Sequence, residues 1–157
     1  MAAIAIQDVT LESSTPEFVL GTIGFSNDGK YYRYVKAGEA ITQYAASLID
    51  SSFNIVMATT TTSAPDAGQG KAVCVPQIAL TNAYYGWALV DGVGVVLGAA
   101  SCVKFTELNT IATDGTLDDD KTSGAEVING IVFTVTLTGA AATSAIIYYP
   151  SVGRTLA

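Results

Sequence analysis

The 157 residues suffice for one domain; half are apolar, only 13% are charged, and seven basic residues against fourteen acidic ones leave a net charge of −7. Soluble proteins average about 25% charge, so this surface is filled instead by serine, alanine, glycine and 19 threonines, a composition that favours association over a free monomer surface. The scattered cations argue against nucleic-acid binding, and the absence of histidine removes the commonest general base and most transition-metal sites.

The first 17 residues read as an extended N-terminal arm, a short apolar alternation followed by "LESSTPE", ahead of a β-rich domain over 18–157. The N-terminus lacks the basic region and long apolar core of a signal peptide, so the expected site of synthesis is the cytoplasm. No apolar run reaches the length of a membrane-spanning helix, which argues against a membrane partner.

From Phe18 the dominant period is two. "KYYRYVKA" at 30–37 reads as an amphipathic strand whose alternation sets Arg33 on the face opposite Lys30 and Lys36, so its mixture of basic and aromatic residues does not form one basic strip. In "GEAITQYAASLID" the residues Ala40, Ile41, Tyr44, Ala45, Leu48 and Ile49 recur at helical spacing, which predicts a short helix over about 38–49. "FNIVMATTTT" and "KAVCVPQIAL" read as strands, the second placed at an edge or bulge by Pro76, which has no N–H for a ladder.

"AYYGWALVDGVGVVL" at 83–97 holds the single tryptophan. Alternation sets Tyr85, Trp87 and Leu89 on one face and Gly86 and Ala88 on the other, and Asp91-Gly92 predicts a tight hairpin turn. The bulky face is expected to pack a core; Trp and Tyr also line sugar and interface sites, so a ligand wall is the competing reading. "SCVKF" and "SAIIYYP" are further strand candidates. In "INGIVFTVTLTG" the residues Ile131, Phe133, Val135 and Leu137 share one face.

Residues able to carry chemistry are few. Cys74 and Cys102 permit one disulfide but are expected to be reduced and buried. "DGTLDDDKTSG" places Asp114, Asp118, Asp119 and Asp120 in one polar loop, whose oxygens could hold calcium; the spacing is not that of a helix-loop-helix site, and a solvated turn that keeps the protein soluble is the expected reading. Nucleotide-binding glycine spacing is missing from "DGVGVVLGAA". The expectation is a chain with no catalytic residue, no metal and no cofactor.

The elements Ala37-Gly38-Glu39-Ala40-Ile41, Gly86-Trp87 with Asp91-Gly92-Val93, Thr113-Asp114-Gly115-Thr116-Leu117 and Gly130-Ile131, running on to "AIIYYPSVGR", occur in an order that resembles small capsid decoration, or head-stabilising, proteins of tailed bacteriophages. The similarity spans most of residues 30–154 as a pattern of segments. It implies a compact β-barrel or β-sandwich-like single domain, a structural role without catalysis, and a place on the outer capsid surface of the virion. The partners it implies are the major capsid protein and other copies of the chain, commonly as a trimer. It also implies that 38–49 is extended with a turn, against the local helical spacing. The alternative reading is a carbohydrate- or surface-binding module of a fibre or adhesin, with Trp87 and the tyrosine pairs at 31–32, 84–85 and 148–149 as stacking platforms.

Overall fold

The computed structural model describes residues 3–67 and 70–157 and is mainly β, with no helix among them. Eleven strands follow in chain order: β1 (Ile4–Ala5), β2 (Ile23–Phe25), β3 (Tyr31–Ala37), β4 (Ser47–Ile49), β5 (Asn54–Met57), β6 (Ala72–Pro76), β7 (Tyr85–Gly98), β8 (Leu108–Thr110), β9 (Leu117–Asp118), β10 (Glu126–Phe133) and β11 (Ala141–Thr155). They form one sheet in the order β1-β2-β3-β5-β4-β6-β11-β10-β8-β9-β7, with extra pairings of β7 to β3, β6 and β11. Followed around, β3, β5, β4, β6 and β7 return to β3, while β7, β11, β10, β8 and β9 return to β7. Closed pairing of this kind removes sheet edges, and the outermost strand, β1, is only two residues long.

The period of two divides side chains between two cores. Tyr32, Tyr34, Leu48, Val73, Val75, Trp87 and Leu89 enter a large cluster that continues through Ile128, Phe133 and Ile147. The alternating neighbours Val35, Ala37, Ile49, Cys74, Ala88 and Val90 enter a second cluster with Ile41, Ile55 and Leu80. Burial on both faces explains why β6 and the first half of β7 carry so few polar residues.

Residues 38–49 are not helical. Ile41 bridges to Leu80, Tyr44 takes a left-handed backbone (φ 68°), and Ser47–Ile49 is a strand. The segment's backbone groups find long-range partners instead: Tyr44 N–H donates to Pro76 O, Leu97 N–H to Tyr44 O and Met57 N–H to the Glu39 carboxylate. These bonds outweigh a modest local propensity. Ala45 is small because Gly115 packs directly on it.

Asp91-Gly92 is not a hairpin turn either. β7 runs unbroken through it and exchanges partners there: 85–91 pair with β3, and 91–98 pair with β11. Gly92 adopts φ 124°, where a Cβ would meet Lys30 Cγ at 2.7 Å, so the glycine serves a bend within a strand. "SCVKF" forms no strand, and β10 stops at Phe133, leaving Val135 exposed while Leu137 is buried. Pro76 is the last residue of β6, where a missing N–H costs least.

Residues 3–17 lie against the rest of the chain through a few strand pairings separated by bends. β1 pairs in parallel with β2, Ile6 is buried, Ser13 bridges to Tyr85, and the Glu12 carboxylate accepts from Thr81 N (2.6 Å) and Oγ1 (2.8 Å).

Candidate functional site

Directly opposed residues of antiparallel strands share a face, and here they gather exposed aromatics. Phe25 of β2 opposes Tyr31 of β3, Tyr31 opposes Asp91 of β7, and Asp91 opposes Tyr148 of β11. Two residues along, Val93 opposes Ile146 on the same face. Phe25, Tyr31, Val93, Ile146 and Tyr148 are all exposed, Tyr148 to 69%, and they surround the single carboxylate of Asp91. A four-strand row of this kind is an apolar surface patch of the sort that marks association.

Beside the row, β11 bulges. Asn129 opposes Ser151 and Ile131 opposes Ile147, so Tyr148, Tyr149 and Pro150 face Gly130 alone. Tyr149 takes a left-handed backbone (φ 40°), and its ring meets that of Tyr148 edge-on at 5.6 Å. Partial burial, then the charges of Asp91, Tyr31 and Tyr148, push its phenol above the ordinary tyrosine range.

The bulge walls a cleft of about 380 Å³ whose other wall is the turn between β4 and β5, with Arg33, Asp50, Phe53 and Lys71 among its lining. The turn is closed by Phe53 N–H donating to Asp50 O (3.1 Å), and Phe53 is left-handed (φ 61°) where glycine is usual. A left-handed non-glycine residue costs about 1–2 kcal/mol. Here the ring offsets that cost: it packs on Gly21, where a Cβ would stand 2.4 Å from the ring, and it sits under the Arg33 guanidinium, 5.5 Å from the centroid. Asp50 accepts from Ser52 N–H (2.8 Å), Asn54 N–H (2.9 Å) and Asn54 Nδ2. Burial opposes the effect of these bonds, but the net shift holds the carboxyl below its ordinary range.

Trp87, the chain's single tryptophan, is only 3% exposed. It lies in an aromatic cluster with Tyr34 (5.0 Å) and Phe18 (5.2 Å), and Tyr34 stacks on Tyr85 (6.4 Å). Tyr34 Oη accepts from Glu17 N–H at 3.1 Å, so the cluster fastens the end of the N-terminal segment to β3 and β7. Of the tyrosine pairs, 31–32 splits outward and inward, whereas both members of 148–149 are exposed. Phe18 escaped the sequence reading because it lies in no alternating strand, and Phe53, read as the first residue of a strand, instead closes the Asp-Ser-Ser turn before β5.

The acidic loop does not converge on one point. Asp114 is exposed, and Asp120 bonds Thr122 and Asn109, with the Thr122 hydroxyl chiefly lowering its pKa. Asp118 and Asp119 instead meet Cys102, one donor atom from each lying within 4.8 Å of the others. A thiol beside two carboxylates is a poor match to calcium, which takes oxygen ligands throughout. Hydrogen bonds occupy the group internally: Cys102 Sγ donates to Asp118 Oδ1 (3.4 Å), and Asp119 Oδ2 accepts from Val103 N–H and Thr106 Oγ1.

Both thiols are free and buried. Burial raises Cys74 far above the ordinary range; burial, then the Asp118 and Asp119 carboxylates, pushes Cys102 up to about 12. With folded pKa values above unfolded ones, the folded chain keeps protons that the unfolded chain releases. Stability from these groups is therefore whole below the ordinary thiol value of 9.0 and declines as pH rises from there towards 12. The urea midpoint should fall between about pH 8 and pH 10, and a thiol reagent should label neither cysteine until denaturant is added.

No protein-family model matches the chain, and no curated protein matches it at the level of sequence.

Proposed function

We propose that this chain is a structural virion protein that binds the outer surface of a tailed-phage capsid and stabilises the mature shell. The observation that carries the reading is the exposed row Phe25, Tyr31, Tyr148 with Val93 and Ile146, set in a surface of sparse charge and presented by four paired strands. The order of segments that resembles head-stabilising proteins supports the same reading.

The mechanism is thermodynamic. A protein that binds the mature lattice and not its precursor or broken forms stabilises the mature state by mass action, and many copies on one lattice reinforce each other through geometry. The partners are the major capsid protein and further copies of the chain, as a trimer. The N-terminal segment contributes Leu11, exposed beside the bonds that hold Glu12 to Thr81. The glycan-binding alternative is favoured by the exposed Tyr148–Tyr149 pair, and Trp87 is too buried to take part in it.

Quantitative mass spectrometry of virus particles from the producing system tests the reading. A ratio near one copy per major capsid subunit is expected. A few copies per particle would support a fibre or adhesin, and absence of the chain would overturn the virion role.

A further inference from the structure

We infer that the cleft between the β4–β5 turn and the β11 bulge is a binding site for an acidic sugar, a pyranose ring carrying a carboxylate. The inference stands apart from the capsid role, since it rests on the lining of the cleft alone.

Charge points to an anion. The chain has a net charge of −7 and seven basic residues, yet two of these, Arg33 and Lys71, line this one cleft against the single carboxylate of Asp50. Among the described residues the ion pairs are Lys30–Asp28 and Arg154–Glu107, so neither Arg33 nor Lys71 has a carboxylate within 4.0 Å. Arg33 is held in place by the Phe53 ring and by a long bond to Gly21 O (3.4 Å), leaving guanidinium N–H groups for a ligand.

The remaining lining points to a sugar ring. Two aromatic residues in left-handed conformations, Phe53 and Tyr149, reach the cleft from separate elements, and strain of this kind collects at binding sites. The exposed ring of Tyr149 suits the C–H face of a pyranose. Asp50 Oδ2 accepts a single bond, from Asn54 Nδ2 at 3.1 Å, and has lone pairs left for a sugar hydroxyl. The volume of about 380 Å³ is that of a small-ligand site.

An acidic peptide fits less well. Each strand lining the cleft is paired along both edges, β3 with β2, β5 and β7, β4 with β5 and β6, and β11 with β10, β7 and β6, so an extended peptide has no free ladder to join.

The test is titration of the 15N-labelled full chain with three acidic oligosaccharides, trigalacturonate, sialyllactose and a hyaluronan tetrasaccharide, each at up to millimolar concentration. Neutral galactose and lactose oligomers and a glutamate-rich peptide serve as comparators. At least one acidic sugar should bind saturably and shift the amides of Arg33, Phe53, Lys71 and Tyr149, more weakly as salt is raised. Lys71→Gln, at an exposed position, should weaken that binding about tenfold without changing the stability of the fold. Tyr149→Asn, which tolerates the left-handed backbone, should weaken it roughly 3- to 10-fold. The inference is overturned if none of the three acidic sugars shifts these amides, if neutral sugars shift them equally, or if the peptide does.

Discussion

Gly115→Val lowers the folding stability by about 3–5 kcal/mol, a large share of the 5–15 kcal/mol that a domain typically has. Two terms add. Gly115 has φ 64°, a conformation that costs an L-residue about 1–2 kcal/mol. Its Cβ would stand 2.2 Å from Ala45 Cβ and 2.8 Å from Ala45 Cα, and backbone cannot rotate aside as a long side chain can. The loop is also stitched down on both sides, with Gly115 N–H donating to Ala58 O (3.0 Å) and Ala46 N–H donating to Gly115 O (2.9 Å). Retreat from Ala45 would break bonds among residues that are wholly buried. Gly29→Ala isolates the first term, because Gly29 has φ 79° and nothing within 4 Å of its Cβ. Urea midpoints of the two variants should differ widely. Equal losses would mean that the contact with Ala45 contributes nothing.

If the exposed row is the capsid contact proposed above, the double substitution Ile146→Lys with Tyr148→Lys should remove the chain from particles while leaving it folded. Both side chains are exposed, so changes at these positions alter stability by about 0.5 kcal/mol or less. Tyr148 opposes Asp91, so a lysine there gains a cross-strand partner of opposite sign. On a capsid contact the same lysines would be buried away from water, at a cost of about 3 kcal/mol or more for a charge left unpaired, which is a loss in affinity of at least 100-fold. Thermal unfolding and particle occupancy are measured together. Normal occupancy with a normal melting curve would show that another face makes the contact.

Much of the fold is legible along the chain. The period of two in "KYYRYVKA" and "AYYGWALV" marks strands, and the alternation assigns Tyr34, Trp87 and Leu89 to one core and Val35, Ala88 and Val90 to the other. Errors arose where one local pattern admits two outcomes. Asp-Gly marks a hairpin when its flanks pair with each other, and a bend when they pair with different strands, as here with β3 and β11. The spacing of Ala40, Ile41, Tyr44, Ala45 and Leu48 suits a helix until the bonds to Pro76, Leu97 and Met57 are counted.

The candidate sites were the least legible part. The single tryptophan, Trp87, is a core residue, while the exposed row joins Phe25, Tyr31, Asp91 and Tyr148 from strands far apart in sequence. The cleft likewise joins Arg33, Phe53, Lys71 and Tyr149. Class, alternation and sparse charge follow from residue types and their neighbours, because side-chain direction in a strand is a local property. Which aromatic residues stand together depends on the register of strands separated by scores of residues. That register is decided by the packing of the whole chain, so the tertiary structure alone settled where the exposed aromatics meet, and where Arg33 meets Lys71.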